Sequence, residues 1–211
     1  MNWEQVLIEN GVIWQYPGNG IHAAYSLRDK HSDFYFNSDY IVSSPRLLKE
    51  ACQAIFKEVS RAVKPDWIVT YPPYGLNIGF CLADLFGCKF AYIKSLEQPE
   101  LNFDISKNDS VLFCADDLYT GGSFRKVKEA LKILDTGIQE PLSVIANFSG
   151  SKRFDGYEVF SLIEKQINIW DSNDCPLCAG GSEAVLARRE WHKFTGPIKS
   201  RDRISPVSAT D

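Results

Sequence analysis

Apolar positions along the chain follow two different periods. Leu47, Leu48, Cys52, Ile55, Phe56 and Val59 recur at the three- and four-residue spacing of one helical face. That segment opens at Pro45, after Ser43-Ser44, where proline's fixed φ suits a first helical turn. It predicts a helix to about Val63. Asn2–Asn10 predicts a short amphipathic helix stopped by Gly11. Ile78–Phe86 predicts a helix closed by Gly87, and Gly122–Leu134 a helix with Lys and Arg on its outer face. Between these lie short apolar runs of strand length, Trp67–Tyr71, Phe90–Ile93, Val111–Ala115, Leu142–Phe148 and Tyr157–Ile163. Ile21–Leu27 and Phe34–Phe36 read as strands around a polar turn, Arg28-Asp29-Lys30-His31. Pro72-Pro73-Tyr74-Gly75 breaks the pattern, and the polar, acidic Leu96–Asn108 reads as a loop. Strands that alternate with helices imply an α/β fold with a central, mostly parallel sheet flanked by helices. Near Trp170 the composition shifts. There the chain carries Cys175-Pro-Leu-Cys178, Gly180-Gly181, a helix expected from a Ser182 cap to about Trp191, and a polar tail expected to be poorly ordered.

The chain has 211 residues, enough for one domain with an appendage. Lys and Arg number 23 against 27 Asp and Glu, a net charge of −4. That balance argues against a nucleic-acid coat or a polybasic membrane binder, but leaves room for a phosphorylated small molecule held by a local nest of donors. No apolar run is long enough to span a bilayer, and Glu4 and Glu9 break any secretory leader at Met1–Asn10. Six cysteines, four of them among apolar residues, fit a reducing compartment, so a cytoplasmic location is expected.

The segment Val111-Leu-Phe-Cys-Ala-Asp116-Asp117-Leu118-Tyr119-Thr120-Gly121-Gly122-Ser123 carries the chemistry. An apolar strand ends in two acids, then a hydroxyl- and glycine-rich loop, then a helix. In an open parallel sheet, ligands bind at the carboxyl ends of strands. A helix N-terminus offers unpaired N–H groups and a dipole that favours an anion. Gly121 and Gly122 let the backbone curl round a phosphate, and Thr120 and Ser123 add hydroxyls. Adjacent carboxylates suit a ribose diol, or a Mg²⁺ ion that keeps few carboxylates and several other oxygens.

This segment closely resembles the phosphoribosyl-pyrophosphate (PRPP) signature of type I phosphoribosyltransferases. Other segments agree with it in order, over about residues 11–165. Lys30-His31-Ser32-Asp-Phe-Tyr35-Phe36 is similar to an N-terminal segment of the orotate enzymes. Asp66–Gly75 resembles the strand and loop that grip pyrophosphate, and Phe90–Lys94 the next strand with its basic end. The resemblance implies a type I phosphoribosyltransferase fold over residues 1–168, with a small N-terminal hood, a Cys-Pro-Leu-Cys extension at 169–195 packed on it, and a flexible tail at 196–211. It implies transfer of the ribose 5-phosphate of PRPP to an orotate-like nucleobase, with release of pyrophosphate, in pyrimidine biosynthesis. Asp116 and Asp117 would hold the ribose hydroxyls, and Leu118, Tyr119, Thr120, Gly121, Gly122 and Ser123 the 5-phosphate. Tyr71, Pro72, Pro73, Tyr74, Gly75, Lys94 and Lys30 would meet pyrophosphate, and Tyr35 and Phe36 the base. Lys94 would join Asp116 and Asp117 as catalytic, Mg²⁺ would bind with PRPP, and the protein would be a homodimer.

Three departures point toward an alternative, a catalytically weak or inactive PRPP- or nucleotide-binding regulator. The loop Ser95–Asp104 holds Glu97, Glu100 and Asp104 where the orotate enzymes are basic and glycine-rich. Asn147-Phe148 stands where they carry the Asp-Arg that holds orotate's carboxylate, and Arg153 has no assigned place. The 71–75 loop is uncharged and carries two prolines, which lack N–H donors. Cys175-x-x-Cys178 has three open readings: half of a structural zinc site, a redox or disulfide pair, and packing of a tight turn. The zinc reading needs two more ligands. His192 follows fourteen residues after Cys178, and His22 and His31 lie far away along the chain.

Overall fold

A computed structural model describes residues 1–25, 29–94 and 100–195. In chain order its elements begin with α1 (Trp3–Glu9), β1 (Ile13–Gln15), β2 (Ile21–Tyr25), β3 (Lys30–Ser32), β4 (Phe34–Phe36), α2 (Ser38–Val42) and α3 (Pro45–Val59). Next come β5 (Trp67–Thr70), α4 (Tyr74–Phe86), β6 (Lys89–Tyr92), β7 (Val111–Leu118), α5 (Gly122–Ile133) and β8 (Ile138–Asn147). The chain continues with β9 (Arg153–Phe154), β10 (Tyr157–Glu164), β11 (Ile169–Asp171), α6 (Pro176–Ala179), β12 (Glu183–Leu186) and α7 (His192–Thr195). The residues group into two compact units, one of 1–12 and 37–167, the other of 13–36 and 168 onward.

The first unit holds a six-stranded sheet of order β6-β5-β7-β8-β10-β9. All neighbours in it are parallel except β9, which runs antiparallel beside β10. Parallel strands are buried on both faces, and β5 is buried at every position. Val69 of β5 and Val111, Phe113 and Ala115 of β7 pack with Phe124, Val127, Ala130 and Leu131 of α5. On α3, the residues Leu47, Leu48, Ala51, Cys52, Ile55 and Val59 are buried, the face its periodicity predicted. The helix ends four residues earlier than expected. Beyond Val59 the chain continues as a turn, in which Arg61 N and Ala62 N donate three residues back, to Glu58 O and Val59 O.

The path of the chain places one crevice. From β5 it passes through α4 to β6 on one side, then returns to β7 on the other side of β5. Strand order therefore reverses between β5 and β7. At such a switch point the loops leaving the two strands diverge, and their carboxyl ends frame a cleft.

The second unit takes its strands from two distant stretches of sequence. Its four-stranded sheet has the order β11-β3-β2-β12, with β2 parallel to β12 and the other pairs antiparallel. A two-stranded antiparallel ribbon joins β1 to β4. Aromatic rings supply much of its apolar surface: Trp14 meets Phe194 edge-on at 4.9 Å between centroids, and Trp191 stacks on Phe194 at 5.6 Å.

Two expectations fail in this unit. Lys30 and His31, the second half of the turn expected at Arg28-Asp29-Lys30-His31, lie with Ser32 in a strand, because each side chain has a tertiary partner: Lys30 bonds Asp171, His31 meets His22 and Cys178, and Ser32 Oγ donates to the carbonyl of Asn168. The helix expected after Ser182 is the strand β12, since Glu183–Leu186 pairs residue for residue with Ile21–Ala24. The end of the predicted Ile21–Leu27 strand and the tail from residue 196 lie outside the described residues.

Candidate functional site

Asp116 and Asp117 sit on β7 itself, which runs three residues further than its apolar pattern predicted, to Leu118. The extension follows from parallel pairing with β8, which matches Asp117 to Ala146 and Leu118 to Asn147. Both acids are half-buried among strand ends. Burial raises the Asp116 carboxyl, while a hydrogen bond donated by Ser38 Oγ and backbone N–H groups pull it back. Burial, with the neighbouring Asp116 charge added, pushes Asp117 up to about 8. An Asp held there keeps its proton at neutral pH. Ser38, at the start of α2, is a site residue that sequence reading missed. Its only local signal is a hydroxyl beside the Phe34-Tyr35-Phe36 run.

Leu118 is buried, and its carbonyl accepts from Phe148 N at 2.8 Å. The following loop is clamped from behind. Gly121 has φ +71°, and a Cβ there would stand 2.1 Å from the Phe154 ring, so only glycine fits. Arg125 Nη1 donates to the Thr120 carbonyl at 2.8 Å, while its Nε and Nη2 hold both oxygens of Asp155 at 2.9 and 3.1 Å. Thr120 and Gly122 are exposed, and the start of α5 has no capping side chain. The first-turn N–H groups of a helix lack intrahelical partners, so this loop presents donors and hydroxyls from a braced backbone.

The loop leaving β5 is built in a related way. Thr70 Oγ1 donates to the Cys114 carbonyl at 2.7 Å, tying β5 to β7. A Cβ on Gly75 would stand 2.0 Å from that same Oγ1, so glycine is required for α4 to start here. Tyr74 and Gly75 thus belong to the helix and not to the loop, as the sequence had suggested; α4 also has no capping side chain. The 71–75 segment carries no charge of its own, yet Lys126 of α5 reaches it, with Nζ 3.2 Å from the Tyr71 hydroxyl and 5.4 Å from the ring centroid. Lys126 was also missed from sequence. It lies one helical turn beyond Gly122, which is the signal that could have found it.

Lys94 follows β6, and its Nζ is 2.6 Å from Glu100, with both side chains more than half exposed. An Ile93–Leu101 bridge closes the stem of the acidic loop. Residues 95–99, Glu97 among them, lie outside the described residues. Asn147 is spent on its own turn: Nδ2 donates to Ser151 O, and Oδ1 accepts from Ser149 N and Oγ. Phe148 is buried. Arg153 is engaged by Glu140 and Glu158, each at 3.2 Å, on the β9–β10 edge.

The remaining candidates belong to the second unit. Lys30 Nζ is 2.5 Å from Asp171 on the neighbouring strand. Tyr35 packs between Tyr25 and Trp191 at 5.1 and 5.4 Å, and Phe36 is buried. Cys175 and Cys178 lie beside His22 and His31, although about 150 residues of chain separate the two pairs. Distance along the chain had counted against these histidines, and the β2–β3 hairpin removes that objection.

No family model matches the chain. Its fold is that of the type I phosphoribosyltransferases. UMP synthase of Leishmania donovani superposes with a TM-score of 0.62 at 18% identity, over 77% of this chain; the match spans only 35% of that longer protein. The orotate phosphoribosyltransferase of Aeropyrum pernix superposes with a TM-score of 0.60 at 17% identity, over 77% of this chain and 93% of that one.

In sequence the chain resembles the orotate members of that group. It is 25% identical over 202 residues to the orotate phosphoribosyltransferase of Campylobacter jejuni subsp. doylei, covering 88% of this chain and 96% of the relative.

Proposed function

We propose that the chain transfers the ribose 5-phosphate of PRPP to an orotate-like nucleobase and releases pyrophosphate. The observation that carries the reading is the β7–α5 junction, where two half-buried acids stand directly before a braced loop whose central glycine nothing can replace. Asp116 and Asp117 hold the ribose hydroxyls. The Thr120–Ser123 backbone and hydroxyls hold the 5-phosphate against the start of α5. Lys126, reaching the Tyr71 loop, adds positive charge where pyrophosphate is expected. Positioning and fixed charge are then the main contributions of the protein to the displacement at C1.

The paired carboxylates offer the hard oxygen donors that fit Mg²⁺. Bound with PRPP, that ion would neutralise charge on the leaving pyrophosphate. Roles for Tyr35 and Phe36 at the base, for Lys30 at pyrophosphate, and a homodimeric assembly are those the resemblance implies. Among the described residues, no helix is long and apolar enough to cross a membrane.

The engaged state of Lys94 favours a second reading. Its ion pair with Glu100 leaves less charge for a leaving group, and Asn147-Phe148 offers no cation for orotate's carboxylate. These fit a PRPP- or nucleotide-binding regulator that has lost turnover. Incubation with Mg²⁺, PRPP and a panel of nucleobases, with pyrophosphate release as readout, separates the two. Release with a base supports the transferase. Thermal stabilisation by PRPP with no release from any base supports the regulator.

A further inference from the structure

We infer that His22, His31, Cys175 and Cys178 form a closed, four-ligand zinc site that holds the second unit together. The ligating atoms of the four residues all lie within 4.8 Å of one another. His22 Nε2 is 3.1 Å from His31 Nδ1, 3.5 Å from Cys178 Sγ and 3.7 Å from Cys175 Sγ. Cys178 Sγ is 3.2 Å from His31 Nδ1. Tetrahedral zinc has Zn–N near 2.0–2.1 Å and Zn–S near 2.3 Å, so its ligand edges run about 3.3 Å for N···N and about 3.6 Å for N···S. The observed edges scatter around those lengths.

The proton positions agree. Ser182 Oγ donates its one hydrogen to the Gly20 carbonyl at 2.8 Å. Its 2.9 Å contact with His22 Nδ1 therefore has the ring N–H donating and Ser182 accepting. That fixes the tautomer and leaves Nε2 as a lone pair aimed at the other three groups. One lone pair accepts one good hydrogen bond, yet three polar atoms converge on it. A single cation at their centre satisfies all four. The serine relay behind His22 is the kind of outer partner that orients a metal-bound histidine.

The ligands are two imidazoles and two thiols, a set suited to zinc. Binding converts both thiols to thiolates and releases their protons to solvent. Four protein ligands leave no open position, which makes the site structural and not catalytic. It would pin the β2–β3 hairpin to the turn at α6, in a unit with a small apolar core. Units of that size commonly need such a staple.

The test uses the full chain, purified under reducing conditions without chelators or a histidine tag. Elemental analysis should find zinc equimolar with protein. Cobalt added to chelator-stripped protein should give the intense visible bands of a tetrahedral centre, with near-ultraviolet thiolate charge transfer. Cys178→Ser should weaken that charge-transfer band, and His31→Ala should lower metal content. Because these variants could misfold, the metal content and cobalt spectrum of the unmutated chain decide. Well-folded protein that stays far below equimolar after equilibration with excess zinc, or a Cys175–Cys178 disulfide in freshly isolated protein, would overturn the inference.

Discussion

The two units solve the problem of cohesion differently. In the first, Phe113 and Phe124 are essentially without solvent contact, and apolar layers of β5, β7 and α5 interlock around them. Burial there is spread over many residues. In the second, two histidines, two cysteines and a handful of aromatic rings do the same work at a few points. Distributed cohesion rests on apolar packing alone and lets a few positions be given over to half-buried acids. Concentrated cohesion rests on reactive groups, so the second unit should respond to chemistry, such as chelation or oxidation, that leaves the first untouched.

The largest expected effect tests the distributed side. Phe124→Ala removes a buried ring and should cost about 3–5 kcal/mol of stability in urea unfolding. A loss well under this would mean that the α5 layer is not the anchor its packing indicates. Next is Gly121→Ala, which forces a Cβ against Phe154 at a positive φ. The left-handed backbone alone costs about 1–2 kcal/mol, and the clash adds to it. PRPP affinity, measured by calorimetry, should fall further than stability, because the loop itself is displaced; an unchanged affinity would remove the loop from the binding site.

Asp117→Asn probes the carboxylate pair. The lost charge-assisted hydrogen bond should weaken PRPP binding by about 1–3 kcal/mol. A pH series adds a sharper readout. With its folded value raised to about 8, Asp117 keeps a proton that the unfolded chain, titrating near 3.9, has released. The folded state binds more protons over that window, so stability falls as pH rises from about 4 to about 8. Asp117→Asn should flatten part of that fall in melting temperature, whereas an identical slope would count against the raised value. The smallest effect on stability belongs to Glu100→Gln. An exposed pair contributes about 0–1 kcal/mol, so melting should barely move. Pyrophosphate release should rise as Lys94 is freed, and an unchanged rate would take Lys94 out of the chemistry.

What could be read from the sequence also divides along this line. Asp116 to Ser123 was legible because strand, acids, loop and helix are contiguous, and each needs only its neighbours to take shape. Gly75 looks like a loop residue in sequence because its role depends on Thr70, whose hydroxyl is turned toward it by a bond to β7. Glu183–Leu186 has a helical signature in sequence because Ser182 looks like a cap. That hydroxyl is instead spent on Gly20 and His22, residues 160 or more positions away. The polar β3 gave no alternation to detect, since its side chains face Asp171, Asn168 and the histidine–cysteine cluster. Sequence patterns encode short-range logic, and these elements owe their form to pairings that only the folded chain creates.

The parallel pairing of β2 with β12 also sets a timetable. Ile21–Ala24 must wait for Glu183–Leu186 to be made. At ribosomal speeds of about 5–20 residues per second, that interval is on the order of 10–30 s. For that time β2 has an open hydrogen-bonding edge with no native strand to cover it, the condition under which edges recruit foreign strands. A nascent chain stalled before Glu183 would carry that open edge indefinitely, and the choice between productive folding and aggregation would fall to whatever shields the first hairpin on the ribosome.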